Sequence, residues 1–410
     1  MNPIQITQYI RRERRSFKEL PLHLIDLLIF AQIVYWDYSD IPEQKKIFAV
    51  KDLFHTDMEK LAHKTFYPDK NIHLFRVLYA NPRYRNIPII HRAERFSSQR
   101  EEQFAAIVII PCPNTAVISF QGTDSSLLGW KENFNMACRC PVPAQLDAKN
   151  FLEKILPKLK EEKIYLVGHS KGGNLAEYAA ITIDDHLGRR ITKVLDFDGP
   201  GFREEFIQAN RDKEILKRIK KYSPASSIVG SIMKSFVPIR PIQSSQYFML
   251  QHDPFTWLIY QQGFLRATEL SRFTKFFHES HINWLNDISD TDRQIFVDAS
   301  YKMISALDAQ TVAELQTDRI RKLRELYEEF QTLEPALRDK LLSMFADFLR
   351  SLKDDFISNR KEDVKSVLQD FKNHLPNITR MQWMFFISFL TISIVIFEML
   401  ICSISIPLDF

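Results

Sequence analysis

Residues 163–174, KIYLVGHSKGGN, constrain the fold more than any other part of the chain. The first five are an apolar run typical of a buried strand, and the LAEYAAI that follows favours a helix. Between the two, Gly168, Ser170 and Gly172 form the pattern G-x-S-x-G. A serine in such a sharp turn adopts a strained backbone conformation that exposes its hydroxyl, and bulkier neighbours would collide with strand and helix. The segment therefore predicts a nucleophilic serine; the alternative is a purely structural turn.

The distribution of glycine indicates how the rest of the chain is organised. The 410 residues include only ten glycines, and nine of them lie between positions 122 and 230. Because glycine serves tight turns and close backbone approaches, the middle is predicted to be rich in turns and the flanks mainly helical. Runs of branched and aliphatic residues predict strands at 104–110, 115–120, 163–167 and 192–197. The first two suit a hairpin or adjacent strands, and the others alternate with helix-like segments, which predicts a parallel α/β sheet.

Composition excludes several classes of protein. With 45% hydrophobic and 26% charged residues, the chain is neither wholly disordered nor a multi-span membrane protein. A net charge of +4 over this length is too weak to indicate nucleic-acid binding. The cysteines are too few for a disulfide framework, lack zinc-knuckle spacing and suit a reducing compartment; they are Cys112, Cys138, Cys140 and Cys402. No histidine–carboxylate cluster or glycine-rich phosphate loop stands out, so no metal or organic cofactor is expected.

Two apolar segments have different interpretations. Residues 22–36 are strongly apolar but short and interrupted by Asp26 and Gln32, which predicts a buried helix. Residues 383–406 would form a helix about 36 Å long, enough to cross a hydrocarbon core of about 30 Å. Glu398 within it costs about 2 to 3 kcal/mol, which its apolar neighbours should offset. Basic residues precede this segment and none follows, which places the preceding domain in the cytoplasm.

The segment at 383–406 therefore predicts a single-pass anchor in the cell membrane, and the alternative is a terminal helix docked in a hydrophobic groove. Between it and the middle of the chain, residues 281–380 are predicted to be a helical extension, with Thr311 and Glu314 spaced as a capping box. An apolar stripe with three- and four-residue spacing follows; it comprises Leu323, Leu326, Phe330, Leu333, Leu337, Leu341, Phe345, Phe348, Leu352 and Phe356. The stripe suits packing onto the protein's own domain, which we prefer, or self-association into a homo-oligomer.

An acyl-transfer site also needs hydrogen-bond donors for the oxyanion. One is the backbone N–H of Lys171, directly after the serine. The second is expected in the loop after an earlier strand, where FQGTD occupies residues 120–124. Thr123 is the candidate there, through its N–H and its hydroxyl, although an ordinary turn capped by Asp124 would carry the same residues.

These residues carry a resemblance. The segments at 120–136 and 168–180 resemble the class 3 lipases, α/β-hydrolases in which a phenylalanine-x-glycine-threonine/serine motif supplies the oxyanion hole. A fuller set of motifs resembles more closely a bacterial family of lipase-like α/β-hydrolases of largely unknown function; it adds LHLIDLLIFAQIVYWDY at 22–38, FDGPGF at 197–202, SPASSIVG at 223–230 and QHDPFTW at 251–257. The resemblance covers roughly residues 15–290. It implies an α/β-hydrolase fold over residues 1–280 and a serine-hydrolase site.

The base of the triad is expected to be a histidine later in the chain, since hydrolases of this fold run in the order serine, acid, histidine. His252 is preferred because it follows the apolar run QYFML and its QHD segment matches the motif of the resembling family. His278 and His281 lie on a helix-like stretch and suit surface or packing positions better.

The acid is assigned by comparing three aspartates. Class 3 lipases carry an aspartate before an isoleucine–valine pair, but here Ser227 holds that position. Asp198, in the turn after the strand at 192–197, is the preferred acid, although it also suits a turn cap. Asp196 alternates with it along the strand and should point to the opposite face. Asp253 adjoins His252, and neighbours on an extended segment point apart.

Two features of residues 121–136 bear on how rigid and how covered the serine site is. Gln121 stands where the resembling proteins often carry arginine, and Asn133 where they often carry an acid, so an ion pair that ties down the oxyanion loop is expected to be missing and the oxyanion hole less rigid. The apolar side chains of residues 125–136 suit either a mobile lid over the serine or ordinary core; they are Leu127, Leu128, Trp130, Phe134 and Met136.

The expected function is a membrane-anchored serine hydrolase that cleaves lipid or small carboxylic esters through an acyl-enzyme. A thioesterase or acyltransferase would share its site. The alternative from another class is a catalytically inactive membrane scaffold, which Ser227 in the acid position and the apolar stripe would favour.

Overall fold

A computed structural model describes residues 2–42, 44–246, 248–306 and 319–358. At its centre is a sheet of eight strands that lie side by side in chain order. The strands are β1 (Phe48–Ala49), β2 (Pro88–Ser97), β3 (Glu102–Cys112), β4 (Thr115–Phe120), β5 (Lys163–His169), β6 (Ile191–Phe197), β7 (Ile219–Pro224) and β8 (Ile239–Ile242). A separate ribbon pairs β9 (Ile259–Tyr260) with β10 (Gly263–Phe264).

The sheet is mixed. Strands β1 to β4 pair antiparallel, which includes the predicted hairpin of β3 with β4, and strands β4 to β8 pair parallel. The parallel register puts Phe120 of β4 beside Gly168 of β5, and Gly168 beside Asp196 of β6. The carboxyl ends of these three strands therefore meet at one edge of the sheet, where loops of parallel sheets carry functional residues.

Helices cover both faces of the sheet. Before and between the first strands lie α1 (Ile6–Arg12), α2 (Leu24–Ile33), α3 (Met58–Ala62) and α4 (Pro68–Tyr79). Within the sheet region lie α5 (Leu127–Asn135), α6 (Pro143–Ile155), α7 (Lys171–Thr182), α8 (Asp185–Gly188) and α9 (Glu204–Asn210). The C-terminal helices are α10 (Arg272–Asp287), α11 (Asp290–Ser305), α12 (Arg319–Thr332) and α13 (Pro335–Ser358).

Alternating side chains of each central strand build two separate cores, as the two-residue period of a strand requires. Ile109, Val117 and Val167 pack on one face with α1, α2 and α4. On the other face, Val108, Ile118 and Leu166 pack with α6 and α7. The resulting three-layer α/β architecture agrees with the predicted α/β-hydrolase fold.

Helix α2 is the buried helix predicted from residues 22–36. Nine of its ten residues are buried, including the acidic Asp26. The Asp26 carboxylate accepts hydrogen bonds from Arg83 Nε at 3.0 Å and Nη2 at 2.6 Å, and from the Tyr84 hydroxyl at 2.7 Å. A buried ion pair therefore explains why a charge stands in an apolar helix.

The C-terminal helices pack on one another through the described part of the apolar stripe. Phe330, Leu333 and Leu341 are buried in one cluster with Ala299 and Met303 of α11. These contacts are intramolecular, but they join the C-terminal helices to one another, whereas we preferred packing onto the protein's own domain. The side chains of Leu323, Phe345, Phe348, Leu352 and Phe356 lie outside the described part of the structure, as does the capping box at Thr311 and Glu314.

The boundary between the predicted hydrolase domain and the helical extension, after residue 280, falls inside α10. Among the helices that the structure describes, none has both the length and the apolar character needed to cross a membrane. The predicted anchor at 383–406 lies outside the described residues.

Candidate active site

Ser170 occupies the turn between β5 and α7. Its backbone has φ 58° and ψ −134°, a conformation that costs a non-glycine residue energy and is found mainly at functional sites. The turn is held by a hydrogen bond from Ser170 N to Phe197 O of β6 at 3.0 Å. A Cβ added to Gly168 would lie 2.1 Å from the carbonyl carbon of Gly172, so the strand and the helix approach each other as closely as the motif predicted.

Asp198 and His252 meet at the same edge of the sheet. Asp198 directly follows β6, and its carboxylate Oδ2 lies 2.7 Å from His252 Nδ1. The carboxylate is fully buried, whereas the His252 side chain is 23% exposed. A buried carboxylate on Nδ1 orients the imidazole and leaves Nε2 available for proton transfer. The two residues chosen from the sequence as base and acid are therefore in direct contact.

Two serines complete the surroundings of Asp198, a role that the sequence analysis assigned to neither. Ser227 Oγ donates to Asp198 Oδ2 at 2.6 Å, and Ser223 Oγ donates to Asp198 Oδ1. Ser227 thus stands where class 3 lipases carry their acid but serves here as a donor to an acid on the neighbouring strand. Together with His252, the two hydroxyls fix both oxygens of the carboxylate.

The rival aspartates and histidines make other contacts. Asp196 lies 3.1 Å from the buried Lys221 ammonium and accepts a hydrogen bond from Gly199 N at 2.7 Å. Asp253 pairs with Lys70 and caps the turn at Phe255 N. His278 Nδ1 lies 2.6 Å from the Ser231 carbonyl oxygen, while the side chain of His281 lies outside the described residues.

His169, between the elbow glycine and the serine, is a site residue that the sequence analysis missed. Its ring lies 4.6 Å from the His252 ring, centroid to centroid, and its Nε2 lies 2.8 Å from the His252 carbonyl oxygen. Since a carbonyl only accepts, Nε2 carries the proton, and Nδ1 faces the Tyr35 hydroxyl at 3.3 Å. Burial holds the pKa of His169 well below its ordinary value, and the nearby His252 lowers it further. A neutral His169 therefore links the serine turn to the histidine loop.

The two predicted oxyanion residues flank the serine. Thr123 is buried in the loop after β4, three residues after Phe120, which pairs with Gly168. In this loop a Cβ added to Gly122 would lie 3.2 Å from Ser170 Cβ and 2.1 Å from the Tyr35 hydroxyl. The loop thus lies against Ser170 with no space for a side chain at position 122. Lys171 is the first residue of α7, so its N–H belongs to the helix N-terminus.

The oxyanion loop is tied down, contrary to the expectation of a less rigid hole. No arginine–acid ion pair links positions 121 and 133, but Asn133 Nδ2 donates directly to Thr123 Oγ1. A buried ion pair occurs one residue earlier, where Glu132 Oε2 lies 2.8 Å from Lys171 Nζ and both side chains are fully buried. The sequence analysis looked for an ion pair only at positions 121 and 133. It therefore missed the pair of Glu132 and Lys171, which lie on different helices, α5 and α7.

Helix α5 packs against the protein through part of its apolar side chains. Besides Glu132, its neighbourhood contributes the buried side chains Leu128 and Met136 to the interior. Phe134 is 40% exposed, and Trp130 contacts the rings of Phe66 and Phe134 at centroid distances of 6.3 and 6.1 Å. The core alternative fits Leu128 and Met136 but not the exposed Phe134, while the side chain of Leu127 lies outside the described residues.

In the part of the chain that the structure describes, no group of three or more histidine, cysteine or carboxylate side chains could hold a metal ion.

The chain is similar to one protein family and to two solved structures. A family model described as Mbeg1-like matches residues 78–302, more than half of the chain. Among solved structures, the chain is similar to the crystal structure of M37 lipase, with 16% identity, a TM-score of 0.35 and coverage of 80% of this chain and 98% of that one. It is also similar to Lip2 lipase from Yarrowia lipolytica, with 11% identity, a TM-score of 0.28 and coverage of 48% and 80%. No curated protein matches the chain.

Proposed function

The chain belongs to the Mbeg1-like family, and we propose that it is a serine hydrolase that cleaves carboxylic esters through an acyl-enzyme. The observation that carries the proposal is the contact of His252 Nδ1 with the buried Asp198 carboxylate at 2.7 Å, beside a serine held in a strained turn. A structural turn has no need of a strained serine, and a structural histidine has no need of a carboxylate whose both oxygens are fixed.

In the first half of the proposed reaction, Ser170 Oγ attacks the ester carbonyl carbon while its proton passes to His252 Nε2. Asp198 keeps the imidazole oriented and stabilises the imidazolium through Nδ1. The negative charge that develops on the carbonyl oxygen is stabilised by the N–H groups of Thr123 and Lys171, and α7 directs the positive end of its dipole at the same point. His252 then returns the proton to the departing alcohol, which leaves the acyl group on Ser170.

In the second half, water attacks the acyl-enzyme carbonyl carbon and His252 takes a proton from it. The same two N–H groups stabilise the second tetrahedral intermediate. Its collapse breaks the bond to Ser170 Oγ, which regains its proton from His252, and the carboxylic acid departs.

Placement at the cell membrane, with the hydrolase domain facing the cytoplasm, belongs to the same proposal. Its support is the apolar sequence of residues 383–406 and the basic residues that precede it. Such placement favours lipid esters as substrates, although small soluble esters suit the same chemistry. Self-association through the helical extension is a further proposal, supported by the apolar stripe in the sequence alone.

Two observations weigh against the inactive-scaffold alternative. Ser227 does not mark a missing acid, because it donates to Asp198 at 2.6 Å. Part of the apolar stripe is buried against α11 of the same chain.

Covalent labelling tests the proposal. The full chain, kept in mild detergent, is treated with a fluorophosphonate probe beside Ser170→Ala and a control, Ser98→Ala, in an exposed turn between β2 and β3. We expect labelling of the wild type and of Ser98→Ala, and none of Ser170→Ala. A folded wild-type chain that takes up no label would contradict the proposal, and a label that persists in Ser170→Ala would assign the reactivity to another residue.

Hydrolysis of matched substrates separates the reaction classes. A p-nitrophenyl ester series and an acyl thioester of equal chain length are compared for the wild type and Ser170→Ala. Faster Ser170-dependent cleavage of the oxygen esters is expected. A strong preference for the thioester would replace the esterase assignment with a thioesterase one.

A further inference from the structure

We infer that helix α5 positions both halves of the oxyanion hole through two adjacent side chains, with Glu132 holding Lys171 and Asn133 holding Thr123. The inference rests on the proposed function, because it concerns the two residues whose N–H groups would stabilise the oxyanion. Glu132 and Asn133 touch no substrate in this account, so they are positioning residues.

The Lys171 side chain is held at its ammonium, at the opposite end of the residue from the backbone N–H that would stabilise the oxyanion. Its ammonium donates to Gln103 O at 2.6 Å, to Gln103 Oε1 at 2.7 Å and to Glu132 Oε2 at 2.8 Å. An ammonium has three N–H donors, so every one is used. Because all three N–H groups of its ammonium are used in the interior, the Lys171 side chain cannot reach substrate. The same hydrogen bonds restrict movement of the peptide unit that carries the oxyanion donor.

Glu132 is fixed as firmly as the lysine it holds. Its Oε2 also accepts from Gln103 N at 3.0 Å, and its Oε1 accepts from Ala144 N at 2.8 Å. The carboxylate therefore joins β3, the start of α6 and the start of α7 to one residue of α5. Charge-assisted bonds of this kind are roughly twice as strong as neutral ones, which makes the junction rigid.

The Thr123 side is held by the next residue. Asn133 Nδ2 donates to Thr123 Oγ1, which occupies an acceptor position of the hydroxyl. The hydroxyl proton then points away from Asn133, where it can supplement the Thr123 N–H as a donor. Neighbouring residues on a helix diverge by about 100°, so consecutive side chains of α5 reach two different loops.

The start of α5 is bound to the same loop. Ser126 N donates to Asp124 Oδ1 at 3.0 Å, and the Ser126 hydroxyl donates to the same oxygen. Ser126 Oγ in turn accepts from Gly129 N at 3.2 Å, which caps the helix. Helix α5 is therefore joined to the oxyanion loop at its first turn and again at Asn133, and to the nucleophile turn at Glu132.

A double-mutant cycle on the full chain tests the inference, with p-nitrophenyl butyrate as the soluble substrate. The variants are Asn133→Ala, Thr123→Val and the double variant. Asn135→Ala is the matched control, since it removes a partly buried side-chain hydrogen bond of the same helix, from Asn135 Nδ2 to Glu101 Oε2 at 2.8 Å.

If Asn133 acts through the Thr123 hydroxyl, Asn133→Ala lowers kcat about tenfold with little change in KM, which is less than the 10²- to 10³-fold typical of a lost oxyanion donor. The double variant is then no slower than Thr123→Val alone. Asn133→Asp, of equal volume, should be slower than Asn133→Ala because its carboxylate accepts the hydroxyl proton and opposes the oxyanion charge. The control keeps its kcat within about twofold of the wild type.

Additive losses in the cycle, or a kcat of Asn133→Ala equal to that of Asn135→Ala, would overturn the inference while leaving the serine hydrolase intact. A wild-type chain with neither Ser170-dependent labelling nor hydrolysis would overturn both proposals. Thermal unfolding of each variant separates these outcomes from misfolding, and if Asn133→Ala unfolds, the comparison of Asn133→Asp with the wild type decides.

Discussion

At the scale of single residues, hydrogen bonds hold the Asp198 carboxylate and the His252 imidazole of the site in place. The Asp198 carboxylate accepts from His252, Ser223 and Ser227, and the His252 backbone is held in turn by His169. Preorganised groups of this kind need no rearrangement when charge develops in a transition state.

The assignment of the acid leads to the first prediction. Asp198→Asn should lower kcat by about 10³- to 10⁴-fold, because an amide cannot hold the imidazole in the right tautomer or stabilise the imidazolium. Asp253→Asn, which alters the neighbouring carboxylate, should keep kcat within about tenfold and mainly reduce stability. Steady-state kinetics of both variants decides, and the reverse order would make Asp253 the acid.

The buried His169 gives a prediction about pH. Its pKa is lowered in the folded protein, so below its unfolded value of 6.5 the unfolded chain binds a proton that the native ring does not. Stability should therefore fall as pH decreases below about 6.5, by up to about 1.4 kcal/mol per pH unit from this group. His169→Gln keeps a donor for the His252 carbonyl but does not titrate.

Urea unfolding of the wild type and His169→Gln between pH 5 and 8 measures this contribution. The difference in stability between the two proteins should change in favour of the variant as pH falls. A difference that stays constant with pH would mean that His169 titrates normally in the folded protein.

At the scale of elements, the helices on the β3 side of the sheet are held by buried carboxylates. Glu132 of α5 is compensated by a cation, whereas Glu102 of β3 lies beside Asp147 of α6. Burial, followed by the hydrogen bond and charge of Asp147, raises the pKa of Glu102 to about 7. The contact between β3 and α6 thus depends on a proton near neutral pH.

Replacement of that carboxyl tests the dependence. A raised native pKa contributes stability that is fully present below the unfolded value of 4.5 and is lost as pH rises toward about 7. Glu102→Gln mimics the protonated form, so it should gain stability relative to the wild type as pH rises from 5 to 8. Urea midpoints at four pH values measure the gain, and equal pH profiles for the two proteins would exclude a shared proton.

At the scale of the whole molecule, α5 is fixed against the sheet edge that carries Ser170 by the contacts of Glu132 with Lys171 and of Asn133 with Thr123. The Glu132–Lys171 ion pair would have to break for α5 to swing away, which leaves two buried charges unpaired at a cost of about 3 to 5 kcal/mol. Rate-limiting movement of a lid is therefore not expected.

Hydrolysis of tributyrin across its solubility limit tests this expectation. The rate should follow the dissolved ester and rise by no more than about twofold when droplets form, since no lid awaits an interface. Dissolved p-nitrophenyl butyrate serves as the control for enzyme integrity. An abrupt increase at the solubility limit would indicate that α5 moves after all.

The sequence predicted those parts of the molecule that are governed by local chemistry. The strand–turn–helix at Ser170 follows from a few adjacent residues, and the parallel strands carry Thr123 and Asp198 to the same edge. Ser227 and Asp198 come from different strands, and His169 meets Tyr35 across 134 positions of chain. Such contacts depend on the register of β6 against β7 and on where α2 crosses the sheet, which no local pattern records.

The contacts of the first seventy-seven residues determine where this protein can be cut when its domains are exchanged. The family match begins at residue 78, yet the Tyr35 hydroxyl lies 3.1 Å from the carbonyl oxygen of His169 and Lys70 pairs with Asp253. A gene fragment cut at the start of the match would strip one face of the sheet and withdraw the partners of two residues at the reactive edge. In domain swaps and grafts, the segment to transfer is therefore the match together with the preceding helices that pack on the sheet, from α1 onward.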